Sequence, residues 1–76
     1  MNKAERANTY LTDEFFMELV ENQKLLYKNN IFNSNEDDVD FRERSLVKLR
    51  AIEEFEASIQ AIADDKQINA KKWKIL

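Results

Sequence analysis

Apolar residues return at helical spacing along most of this chain. Between residues 36 and 64 they fall at Phe41, Leu49, Ile52, Phe55, Ile59 and Ile62, with Ser45 in the same register. Steps of three and four residues sustained over so many turns predict a long amphipathic helix. A second stripe, Phe16, Leu19, Val20, Leu26 and Tyr27 with Gln23 in register, predicts a helix over about 13–30, and Phe15 and Leu25 widen it. Such width implies contact with more than one neighbour. A shorter segment, about 3–11, carries the helix formers Ala4, Glu5, Arg6 and Ala7 and closes with Tyr10 and Leu11.

The polar residues between these stripes punctuate them. Thr12 is the expected N-cap of the second helix, with Asp13 and Glu14 in its first turn, where the positive end of the helix dipole favours acids. Residues 29–35 read Asn-Asn-Ile-Phe-Asn-Ser-Asn, a composition that competes for backbone hydrogen bonds and predicts a loop. Ile31 and Phe32 are expected to tuck back over the core. Ser34 or Asn35 should cap the third helix, placing Glu36, Asp37 and Asp38 in its first turn, and Asp40 and Arg44 should pair at i,i+4. The expected fold is all-α: an antiparallel helical hairpin with a short N-terminal helix, forming one domain over 1–76. A two-helix hairpin covers its own stripes poorly, so Leu46 or Val47 is expected to remain available to a partner.

Composition sharpens this picture. The chain has 76 residues and no glycine, proline, cysteine or histidine. Without glycine a hairpin-rich β protein is disfavoured, and asparagine is the residue left to fill any left-handed turn position. Disulfides and cysteine-based zinc sites are ruled out, so helix packing, oligomerisation or docking must stabilise a chain this small. The N-terminus has no apolar run of the secretory type, and no stretch reaches the 18 apolar residues of a membrane span. The expectation is a protein of the cytosol, or one assembled there, without membrane contact.

Candidate chemistry is sparse. General base and nucleophile roles favour histidine and cysteine, and only Ser34, Ser45 and Ser58 remain. No glycine loop can cradle a phosphate, so neither an enzyme nor a cofactor is expected. The run Glu36-Asp37-Asp38-Val39-Asp40 has oxygen ligands but lacks the calcium-loop pattern, and helix capping accounts for it without a metal.

Charge divides the chain. Residues 1–65 hold all 15 acids and eight bases, a net of −7, whereas 66–76 hold Lys66, Lys71, Lys72 and Lys74 and no acid, a net of +4. The body should repel nucleic acid. In the tail, Lys71, Lys72, Trp73, Lys74, Ile75 and Leu76 combine an aromatic with cations. That set suits an anchor in a partner protein's pocket, a strand added to a partner's sheet, intramolecular packing, or a grip on nucleic acid. Separately, Glu53, Glu54, Glu56, Asp64 and Asp65 could imitate a DNA backbone on an inhibitor of a host or phage enzyme, although Lys48 and Arg50 interrupt the row.

Four stretches carry a resemblance: Ala4-Glu5-Arg6-Ala7; Leu11 with Asp13 and Phe16; Asn33-Ser34 leading to Asp40-Phe41-Arg42-Glu43; and Lys48-Leu49-Arg50-Ala51. Together they touch most of 4–62, and the layout resembles small helical proteins encoded among the virion-assembly genes of tailed bacteriophages. Relatives often have proline after the position of Asp13, where this chain has Glu14, and the Lys/Trp tail is particular to this sequence. The resemblance implies a phage structural or assembly protein, acting in the host cytoplasm during assembly or within the virion. It carries over no residue roles. The expected partners are proteins, virion components among them, and a second copy of the chain.

Overall fold

The computed structural model describes residues 2–65, and these form three α-helices, α1 (Lys3–Thr12), α2 (Glu14–Phe32) and α3 (Val39–Ala63). Asn2 opens α1: its backbone is extended and its Oδ1 accepts the Glu5 N–H at 2.8 Å, satisfying one of the orphan donors of a helix start. Asp13 then serves two helices. Its backbone N–H donates to the Tyr10 carbonyl, closing α1, and its Oδ1 accepts the Phe16 N–H at 2.7 Å, opening α2. The N-cap of α2 is therefore Asp13 and not Thr12. The Thr12 hydroxyl is committed backwards, donating to the Asn8 carbonyl at 2.9 Å. Asp13→Ala should cost about 1 kcal/mol, the usual loss for an N-cap. A urea titration by circular dichroism would read it as a lower midpoint at unchanged slope.

The asparagine-rich segment is less loop-like than its composition suggests. The second helix runs through Asn29 and Asn30 to Phe32, so the connection is residues 33–38 rather than 29–35. Half-burial of Asn30 and Ile31 rewards one more turn, and tertiary packing overrides the weak propensity of asparagine. Ile31 packs inward as expected, whereas Phe32 is 86% exposed. No described residue has positive φ, so asparagine fills no left-handed position. The turn is closed by side chains instead. Ser34 Oγ donates to the Ile31 carbonyl at 2.7 Å, and the Asn35 N–H donates to Asp38 Oδ2 at 3.0 Å. The Arg42 guanidinium donates to the Asn35 carbonyl and to Ser34 Oγ. Neither Ser34 nor Asn35 caps α3, which begins after Asp38 without a side-chain cap bond. Glu36 and Asp37 precede the helix, leaving Asp40 as the acid of its first turn.

On α3 the covered positions are Arg42, Ser45, Leu49, Ile52, Glu56, Ile59 and Ala63, alternating steps of three and four. On α2 they include Phe16, Val20, Lys24, Tyr27 and Ile31. Three of the residues expected inside, Phe41, Phe55 and Ile62, are 41%, 60% and 44% exposed. Each precedes a covered position by one residue, about 100° around the helix. The covered stripe of α3 takes up Arg42, Glu56 and Ala63 instead, the last of them beside α1. Cross-helix contacts join Lys24 to Glu56 and Tyr27 to Lys48, and Arg42 of α3 reaches Ser34 in the turn. The short helix α1 lies mainly against α3, and Tyr10 meets Phe16 of α2 with ring centroids 5.3 Å apart. Among the described residues only Ala7, Ser45 and Leu49 are buried.

Candidate partner-binding surfaces

Each helix spends one narrow stripe on its neighbours, and the rest of its apolar residues face outward. Twelve large hydrophobic residues among those described are at least 41% exposed. Isolated exposed apolar residues are ordinary on protein surfaces; this many around so small a core is not.

An apolar groove lies where α1 crosses α3. It has a volume of about 330 Å³ and is lined by Ala7, Tyr10, Phe16, Phe55, Ile59 and Ile62, with Lys3 and Arg6 adding positive charge. Neither cation has an ion-pair partner among the described residues. The sequence pattern did not single out this groove. Its trace is the excess width of the α3 stripe: Phe55, Ile59 and Ile62, at i, i+4 and i+7, form a second face beside the seam.

Leu46 and Val47, expected to face a partner, are 41% and 67% exposed. They do not form one patch, because successive helix residues diverge by about 100°. Val47 belongs to a shallow outer groove with Asp40, Glu43, Arg44 and Lys48, while Leu46 lies nearer the seam. No ion pair joins Asp40 to Arg44. The remaining residues expected to bind a partner, Lys71, Lys72, Trp73, Lys74, Ile75 and Leu76, lie outside the described residues.

One charged pair sits within the seam. Lys24 Nζ lies 2.8 Å from Glu56 Oε1 and 2.9 Å from Glu21 Oε1, with 14% of the lysine side chain exposed. The Glu56 hydrogen bond, followed by the Glu21 bond, pushes the Lys24 pKa up from 10.5 to about 12. Glu56 is thereby turned inward and does not contribute to an outward acidic row with Glu53 and Glu54.

The described serines are committed locally or buried. Ser58 Oγ donates to the Glu54 carbonyl at 2.9 Å, Ser34 is part of the turn, and Ser45 is buried. Among the described residues no cluster of three or more acidic side chains is arranged to hold a metal ion, and Asp38 accepts from the Asn35 N–H. No described helix is long and apolar enough to cross a membrane.

No protein-family model matches the chain, and no curated protein or solved structure matches it either.

Proposed function

We propose that this chain is a non-catalytic binding protein that acts by having its apolar faces covered in a larger protein assembly. The observation that carries this reading is the imbalance of apolar surface. Among the described residues only Ala7 and Leu49 are buried hydrophobics, against twelve large ones at least 41% exposed. Protein that cannot cover its apolar surface internally gains by covering it on a partner.

We read α2 and α3 as an antiparallel hairpin with α1 as a short brace. Supporting this, the α3 partner's number falls from 56 to 48 as the α2 residue rises from 24 to 27, and Arg42 reaches Ser34 in the connection between them. On this reading Leu46 and Val47 offer two contact points along α3. Residues 69–76 are the second effector in this reading, with Trp73 as anchor and Lys71, Lys72 and Lys74 steering it toward an acidic patch. The resemblance to proteins of phage virion-assembly regions supplies the setting: a structural or assembly component that binds virion proteins in the host cytoplasm or in the particle.

The test is quantitative mass spectrometry of purified particles and assembly intermediates from the encoding phage. A fixed copy number relative to the major structural proteins is the expected result. Absence from both fractions contradicts the proposal.

A further inference from the structure

We infer that the groove between α1 and α3 is filled by Phe15 of a second copy of this chain. This deepens the reading above, resting on its claim that the apolar faces are binding surfaces, and it names both occupant and contact.

The groove needs an apolar side chain presented among negative charges. Its lining is aromatic and aliphatic, and Lys3 and Arg6 have no ion-pair partner among the described residues. The chain carries a matching projection. Phe15 is 70% exposed, shares an outward stripe with Leu19 at i+4, and stands among Asp13, Glu14 and Glu18. Glu14 and Glu18 likewise have no ion-pair partner among the described residues.

The same helix keeps Phe15 out of its own groove. Phe16 lines that groove, and its neighbour points about 100° away, so the projection must come from another molecule. Projection and groove are neighbours, because Phe16, next to Phe15, lines the groove. Two copies related by a two-fold axis can therefore exchange Phe15 reciprocally, repeating one contact twice.

The area is of the right size for a weak closed dimer. Tyr10, Phe15 and Phe55 are 53%, 70% and 60% exposed. At roughly 200 Å² per aromatic side chain, covering all three on both copies removes on the order of 700 Å². Leu19, Ile62 and the charged rim bring the total toward the roughly 1,000 Å² that a specific interface requires.

Sedimentation equilibrium of the full chain over about 1–200 µM tests this, a range that brackets weak-dimer affinities. The wild type should dimerise with micromolar affinity. Phe15→Asp should weaken association at least tenfold while leaving the helical circular dichroism unchanged, since Phe15 is 70% exposed. Lys3→Glu with Arg6→Glu should weaken it as well, and adding Glu14→Lys with Glu18→Lys to that chain should recover at least half of the lost association free energy, because two of the three acids beside Phe15 are then reversed and Asp13 is kept as the N-cap. The charge swap keeps the test decisive should Phe15→Asp perturb folding. A wild type that stays monomeric throughout overturns the inference, as does association indifferent to Phe15→Asp or charge reversal without rescue. Particle incorporation is read separately, so a monomeric chain found in particles would sink this contact and leave the partner-binding reading standing.

Discussion

Leu49→Ala is expected to cost the fold about 2–4 kcal/mol, the usual range for truncating a buried leucine. Leu49 is 8% exposed and sits mid-seam on α3, between Ser45 and Ile52, which are also covered. No other large described side chain is as enclosed, so few neighbours can shift to fill the space. A core this small supplies no more than about 3–5 kcal/mol, and at low concentration the variant should be mostly unfolded at room temperature. Phe55→Ala is the informative control. Phe55 is larger but 60% exposed, and its loss should cost the isolated chain under about 1 kcal/mol. Leu46→Ala, at 41% exposure, should also be mild. Denaturant melts at one fixed low concentration give all three. Equal losses at Leu49 and Phe55 would mean that Phe55 and not Glu56 faces inward at that turn of α3, as hydrophobicity alone suggests.

The second large effect is expected at the charged pair in the seam. Lys24→Met should destabilise by about 1–3 kcal/mol, because Glu56, with 26% of its side chain exposed, loses its partner in a partly dry setting. Adding Glu56→Leu should recover most of that loss, since replacing both partners leaves no charge stranded. The pair is then better described as fixing which residues meet along the seam than as a net source of stability, as polar groups in helical seams can. Its pH dependence has a definite direction. Folding raises the Lys24 pKa from 10.5 to about 12, so the charged lysine is favoured in the native state. The associated stability is fully present below pH 10.5 and is lost as pH rises through about 12. An alkaline melt series should show that loss in the wild type and not in Lys24→Met. A double-mutant cycle with no coupling would remove the pair from the account.

Helix number, helix order and the short first helix were legible in the sequence because long stripes with three- and four-residue steps report them directly. The phase of α3 was not. At 41/42, 55/56 and 62/63 an apolar residue stands beside a charged or small one, and ranking by hydrophobicity selects Phe41, Phe55 and Ile62. The covered stripe instead takes Arg42, whose guanidinium closes the turn, Glu56, which reaches Lys24, and Ala63, which lies beside α1. None of these roles can be seen until the opposite helix is in place. The N-cap of α2 moved by one residue for a similar reason, because Thr12 found a carbonyl behind it. Of the surfaces, the exposure of Leu46 and Val47 was anticipated, whereas the groove at α1 required knowing where α1 lies.

We propose that this chain leaves its stability and its function to surfaces completed by another molecule. Thermal melts of the wild type across a hundredfold range of concentration test this most directly. Association coupled to folding as a dimer adds RT ln 100 per dimer, about 1.4 kcal/mol per chain. For a domain this small that corresponds to a rise in Tm on the order of 5–10 °C from the dilute to the concentrated sample. A Tm that is high and independent of concentration would show a self-sufficient monomer and contradict the account.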